Sequence, residues 1–284
     1  LLNNVYQADF TQYKPNTLQR RLQRRMALVS ETQVSSYLKL LQDNPVELAA
    51  LYDDFLIRVT SFFREEAIYT ALKQSILPAL VRGRSHAEPL RIWVPACATG
   101  EEVYSLAICL MEFLGERAQD ITIQIFGTDL NEAAIEQARQ GSFPESIAER
   151  VSAARLQRFF VHENRRYRVA KHIRELCVFA RQNVARDPPF SRMDLISCCN
   201  LLIYLDPGLQ RRVLRHFHYA LKPDGYLILG PAENADEEGQ FFKRSDSNHR
   251  MVYRRALPAR GSLEAVLVAH PGRKSATTTE IAQP

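Results

Sequence analysis

The chain has 284 residues, 46% hydrophobic and 24% charged, which is enough for one large domain or two small ones and too apolar for a disordered chain. A net charge of +5 is small for a nucleic-acid binder, and five cysteines in neither disulfide-like nor metal-like spacing point to a reducing compartment. No apolar run reaches the length of a membrane span, and the histidines lack ligand spacing, so we expect neither a span nor a metal. The start, LLNNVYQADF, has no initiator Met and no charged region leading an apolar one. We therefore expect an excised cytoplasmic fragment, with room for other domains in the native chain.

Residues 1–81 read as all helix. Leu18, Leu22, Met26 and Val29 recur at helical spacing, with Arg20, Arg21, Arg24 and Arg25 opposite them as one exposed basic face. A second helix covers Val34 to Gln42. A third opens at Pro45, whose missing N–H costs nothing in a first turn, and holds Leu48, Leu51, Phe55 and Leu56. Thr60 or Ser61 is the expected N-cap of a helix running to Leu80. The polar stretch 82–89, RGRSHAEP, is the expected linker between domains.

From residue 90 to about 257, strands and helices alternate. Ile92-Trp93-Val94 is a strand that breaks at the small residues of ACATG and resumes as a helix with Glu101, Glu102, Tyr104 and Leu106. Strand, small-residue turn and helix form the opening unit of a cofactor-binding α/β sheet. Further strands are read at Ile121–Phe126, Cys177–Ala180, Met193–Cys198 and Tyr226–Leu229, the last after a turn at Lys222-Pro223-Asp224-Gly225. Residues 142–176 interrupt the alternation with short helices and a hairpin around Glu163-Asn164. Phe241–Arg244 and Met251–Arg254 form a closing antiparallel pair, and residues 258–284 read as a disordered tail. The whole is α/β: a mostly parallel, doubly wound sheet. A terminal antiparallel pair after KPDG resembles the S-adenosylmethionine-dependent methyltransferases.

Ligands of such sheets bind beyond the carboxyl ends of the strands, here Ala96 to Glu102, Asp129, Asn183, and Asn200 with Tyr204. Two glutamates at the first turn repel a pyrophosphate and suit a ligand with hydroxyls or a positive charge. One complements the helix dipole and the other meets an ammonium group; spacing does not say which. Asp129 has the position of an acid that accepts from ribose hydroxyls, or else caps the next helix. Asn183 reads as an adenine contact or a plain turn residue. Cys198 and Cys199 read as small hydrophobes.

Together DFTQYKPNTLQRRLQRRM, VTSFFRE, IWVPACATGEEVYSLAI, FGTDLN, ARQNV, CCNLLIYL and LKPDGYLILGPAEN resemble the CheR-type chemoreceptor glutamate methyltransferases. The resemblance implies a small all-helical N-terminal domain and a Rossmann-like methyltransferase sheet with a small inserted β-subdomain. It also implies methyl transfer from S-adenosyl-L-methionine to glutamates on the cytoplasmic helices of chemoreceptors, with S-adenosyl-L-homocysteine as product. The family's cofactor contacts fall on Thr60, Arg64, Ala96, Glu102, Asp129, Asn183, Val184 and Asn200, and its reaction-centre residues on Arg64 and Tyr204.

Two positions depart from the family's pattern: Arg58 stands where Asn is common, and Cys199 where Arg is common. Cys199 removes a charge and up to five donors. These departures open a second reading, a catalytically weak signalling module that binds S-adenosylmethionine or S-adenosylhomocysteine. A third is a nucleic-acid methyltransferase using the Arg20–Arg25 face, which the lack of interleaved aromatics disfavours. The short basic hairpin VHENRRYRV resembles members that do not tether to a receptor's C-terminal pentapeptide.

Overall fold

The computed structural model describes residues 1–84, 88–245 and 251–256. Four helices open the chain: α1 (Leu2–Tyr6), α2 (Pro15–Leu28), α3 (Val34–Asp43) and α4 (Pro45–Phe55). Pro45 starts α4, and the Asn44 side chain caps it by accepting from Val46 N and Glu47 N at 3.0 and 3.1 Å. The apolar faces of α2, α3 and α4 close on a small core of Met26, Tyr37, Leu41, Leu48, Leu51 and Phe55. The buried Glu47 accepts from the Arg25 guanidinium at 3.0 and 2.5 Å and from the Tyr37 hydroxyl at 2.7 Å. Arg21 donates to the Asp54 carbonyl at 2.6 Å. The single exposed basic face read for residues 20–25 is thereby corrected. Arg20 and Arg24 are exposed, whereas Arg21 and Arg25 are half-buried and bonded to α4.

The expected cap at Thr60 or Ser61 is also corrected. Residues 57–65 form an irregular loop, and helix α5 (Glu66–Ala71) starts after it with Glu65 at the cap position. Phe62 explains the difference. It is pulled into the core between Phe143 and Phe160, with ring centroids at 4.8 and 5.5 Å, so tertiary packing overrides the local capping signal. A π turn (Leu72–Ile76) joins α5 to α6 (Leu77–Val81), directly before Pro78, whose missing N–H disrupts a regular ladder. By packing, Phe62 to Val81 belong with the sheet, not with the first four helices. The division between the two hydrophobic units thus falls just after Leu56, upstream of the polar stretch 82–89. Within that stretch Arg84 is anchored to the buried Asp194 at 2.7 Å.

The sheet comprises β1 (Leu90–Pro95), β2 (Ile123–Asp129), β6 (Cys177–Arg181), β7 (Met193–Cys198), β8 (Leu221–Leu229), β9 (Phe242–Arg244) and β10 (Val252–Arg255). Its order is β6-β2-β1-β7-β8-β10-β9, parallel from β6 to β8, with β10 antiparallel to β8 and to β9. Helices α7 (Glu101–Leu114), α8 (Glu132–Gln140) and α11 (Pro207–Ala220) connect the strands. Side chains alternate across the sheet: Ile92, Val94 and Leu195 enter the core shared with α7, and Trp93 and Ile196 the core beneath α11. Lys222 to Gly225 do not end a strand as a simple turn. They form an irregularity within β8, whose pairing with β7 jumps from Met193↔Leu221 to Leu195↔Tyr226.

Between β2 and β6 the inserted segment holds β3 (Ser142–Pro144), α9 (Ala153–Phe159), β4 (Phe160–Glu163), β5 (Arg166–Val169) and α10 (Lys171–Arg174). Strands β3-β5-β4 form a separate antiparallel sheet whose hairpin turns at Asn164-Arg165. The stretch 258–284, read as a tail, lies outside the described residues.

Candidate functional site

The strand order reverses between β1 and its neighbours β2 and β7, and one deep pocket opens there, at the carboxyl ends of the strands. Thr60, Arg64, Ala96, Glu102, Asp129, Asn183, Val184, Asn200 and Tyr204 all line it.

The floor is the turn from β1 to α7. Ala96 and Ala98 have φ of 54° and 48°, and Gly100 has φ of 94°. A Cβ on Gly100 would lie 2.9 Å from the Ala138 Cβ, so the turn packs tightly onto α8. Asp129 locks the turn by accepting from Ala98 N at 2.8 Å, and from Asn131 N at 2.8 Å. It does not cap α8; Asn131 does, accepting from Ala134 N at 3.0 Å. Burial pushes the Asp129 carboxyl above its usual range, while these amide bonds and the charge of Arg58 oppose the rise.

The two glutamates left unresolved by spacing point in different directions. Glu101 turns to the Thr99 hydroxyl, 2.6 Å away. Glu102 lines the pocket and accepts from the Ser197 hydroxyl at 2.6 Å. Burial pushes the Glu102 carboxyl up to about 7; the Ser197 and Cys199 bonds and the charge of Arg64 oppose this, and Glu233 adds to it. A buried carboxylate answered only by a hydroxyl and a thiol is short of a positive charge, and an ammonium group supplies one.

Cys198 is fully buried, as expected for a small hydrophobe, whereas Cys199 lines the pocket. Burial beside Glu102 raises the Cys199 thiol well above its usual range, so it stays protonated. Arg58, the other departure, is exposed at the rim and pairs with Asp53 at 3.4 Å. Arg64 follows Phe63, itself at φ 49°, and donates to the Val59 carbonyl at 3.1 Å. Asn183 uses its side-chain oxygen locally, accepting from Ala185 N at 3.0 Å. Tyr204 sits in a 3-10 turn, Leu202–Tyr204, half-buried at the pocket wall.

Sequence reasoning missed two groups. The buried Glu233 accepts from Asn200 N and Gly230 N at 2.8 Å and from Ile203 N at 3.3 Å, shaping the loop that carries Asn200 and Tyr204. Its signal was the acid in GPAEN, directly after the last parallel strand. The second group is a strap from the N-terminal segment. Asp9, Phe10, Gln12 and Tyr13 cover the pocket. Lys14 N donates to the Tyr204 carbonyl and Asp206 N to the Gln12 carbonyl, both at 2.8 Å. Arg186 ties the strap down through Asp9 at 3.3 Å. Nothing local in the sequence marks a contact spanning so many residues.

A doubly wound sheet closed by an antiparallel pair, with glutamates in the first turn of the helix after β1 and an aspartate ending β2, defines a Rossmann-like methyltransferase domain. The described residues hold no helix long and apolar enough to cross a membrane, and no cluster of metal-ligating side chains. Residues 58–251 match the CheR methyltransferase SAM-binding domain, and residues 1–56 the CheR methyltransferase all-alpha domain. The chain belongs to the CheR methyltransferase family, and S-adenosylmethionine is its cofactor. It is 40% identical over 245 residues to an uncharacterized 104.1 kDa protein of Rhodobacter capsulatus, covering 86% of this chain but only 26% of that one. It is 33% identical to chemotaxis protein methyltransferase 2 of Pseudomonas aeruginosa, over 75% of this chain and 76% of that one. It is 31% identical to the chemotaxis protein methyltransferase of Escherichia coli, over 78% and 77%.

Proposed function

We propose that this chain methylates glutamate side chains on the cytoplasmic helices of chemoreceptors, yielding glutamyl methyl esters and S-adenosylhomocysteine. The observation that carries this reading is the pocket itself. It offers a charge-poor buried carboxylate, Glu102, a second acid at the end of β2, Asp129, and an arginine and a tyrosine in its lining, Arg64 and Tyr204. When bound, S-adenosylmethionine supplies an electrophilic methyl group. Glu102 answers its ammonium, Asp129 accepts from its ribose hydroxyls, and the Asn183 amide with Val184 borders its adenine.

The acceptor glutamate is ionised at neutral pH and needs no general base. The chain's residues therefore align the attack and exclude water. Arg64 orients the incoming carboxylate by a bidentate pair, and the Tyr204 hydroxyl and Asn200 amide fix its angle. The strap from Asp9 to Tyr13 closes the cofactor side to solvent. The activity is cytoplasmic, without pentapeptide tethering through the basic hairpin at Asn164-Arg165, and the chain spans 26% of the length of the 104.1 kDa Rhodobacter relative.

A second reading, a weakly catalytic cofactor-binding module, is favoured by the uncharged Cys199 beside Glu102. The test is transfer of radiolabelled methyl groups to purified receptor cytoplasmic fragments, with base-labile release as methanol, alongside calorimetry with S-adenosylmethionine. Base-labile label supports the enzyme. Cofactor binding with no base-labile product on a broad receptor panel supports the module. Label entering RNA instead overturns both.

A further inference from the structure

Helix α11 buries Leu209, Val213, Leu214 and Phe217 and leaves Arg211, Arg212, Arg215 and Tyr219 exposed on its other side. Arg211, Arg215 and Tyr219 recur every four residues, so they form one stripe of about 12 Å along the helix. Arg212 lies beside the stripe at the pocket mouth and donates to the Gln12 side chain at 3.3 Å. The other arginines of the rim are already matched by acids: Arg58 by Asp53 at 3.4 Å, Arg64 by Glu65 at 3.9 Å, Arg186 by Asp9 at 3.3 Å. Among the described residues no carboxylate lies within ion-pair distance of Arg211, Arg212 or Arg215. Arg211 shares a shallow cleft with Lys14, Glu237 and Glu238 without pairing, and Arg215 stands 5.9 Å from the Phe241 ring centre. Tyr219, 66% exposed, ends the stripe.

We propose that the exposed face of α11 is a docking track for an acidic helix of the substrate, which lies along Arg211, Arg215 and Tyr219 and feeds its acceptor glutamate past Arg212 into the pocket. This rests on the glutamate-methylating reading above. Charge complementarity selects the occupant. The acceptor must be a carboxylate at the mouth, and any further acids four residues apart on the helix that carries it would fall in register with the arginines. Tyr219 gives such a helix an apolar contact at the far end of the track. The track differs from α2, half of whose arginines are spent internally on Glu47 and Asp54.

The test uses the full chain and the variant Arg211→Glu/Arg215→Glu, neither of whose sites lines the cofactor pocket. Fluorescence anisotropy is read with a labelled helical peptide of four heptads bearing glutamates at four-residue spacing. Methyl transfer is read on receptor cytoplasmic fragments, and calorimetry with S-adenosylhomocysteine checks that the fold and cofactor site survive. The wild type is expected to bind the peptide with a steep loss between 50 and 300 mM salt, on the order of tenfold or more. The variant is expected to lose at least tenfold in peptide affinity and to raise KM in proportion, with kcat and S-adenosylhomocysteine affinity within twofold of the wild type. Equal peptide binding and equal KM in the two proteins would overturn the track, as would tighter binding of a duplex RNA that the variant abolishes. Peptide binding lost in the variant, with no methyl transfer by the wild type, would keep the track and overturn the reaction.

Discussion

Replacing Glu102 by Gln separates the cofactor account from a purely structural role for that side chain. In the free protein, burial holds this carboxyl at about 7 against an ordinary value of 4.5. Below about pH 4.5 it is neutral in both the folded and unfolded chains. As pH rises toward 7 the unfolded chain releases its proton first, so stability falls, by about 3 kcal/mol above pH 7. Glu102→Gln removes that loss, and its melting temperature at pH 8 is expected to rise by roughly 4–8 °C over the wild type. At pH 5 the difference should shrink toward zero. Ligand binding should move the other way, because the ammonium needs the ionised carboxylate. Calorimetry of S-adenosylhomocysteine on the wild type should show affinity falling about tenfold between pH 7.5 and pH 6. Glu102→Gln should bind roughly ten- to a hundredfold more weakly at pH 8, the loss of one hydrogen bond to a charged group. A variant both less stable at pH 8 and unchanged in affinity would refute the reasoning.

Three further outcomes follow from the geometry. Glu233→Ala leaves three amides without their acceptor and should destabilise the chain by about 2–4 kcal/mol in urea unfolding, with a drop in S-adenosylhomocysteine affinity. Gly100→Ala sets a Cβ 2.9 Å from Ala138 at φ 94° and should cost at least about 1–2 kcal/mol, read as a lower urea midpoint. Arg64→Ala should reduce methyl transfer on the order of a hundredfold or more, and Tyr204→Phe more mildly; unchanged turnover in Arg64→Ala would remove its role.

The alternation of apolar strands with helical stretches made the sheet legible, because buried parallel strands must be short apolar runs and their ends must carry the ligand. Trp93 and Ile92 facing opposite cores is the period-two consequence. The start of α5 was not legible, since the irregular loop before it is decided by where Phe62 packs, not by Thr60 or Ser61. The α2 arginines failed similarly: helical spacing places Arg21 and Arg25 on one face but does not reveal that Glu47 and the Asp54 carbonyl wait there. Spacing left Glu101 and Glu102 equivalent; the Thr99 hydroxyl that holds the first and the Ser197 hydroxyl of β7 that holds the second distinguish them. The strap over the pocket depends on Lys14 meeting Tyr204, a contact between chain segments that no local pattern records.

The central claim is ester formation on glutamate. Incubating the purified chain with S-adenosylmethionine labelled in its methyl group and a set of receptor cytoplasmic fragments, then treating the protein fraction with base, measures it directly. The expected result is volatile labelled methanol, released from the wild type's products and lowered on the order of a hundredfold or more with Arg64→Ala. Label that is stable to base, or none on any fragment while S-adenosylhomocysteine binds, would contradict it.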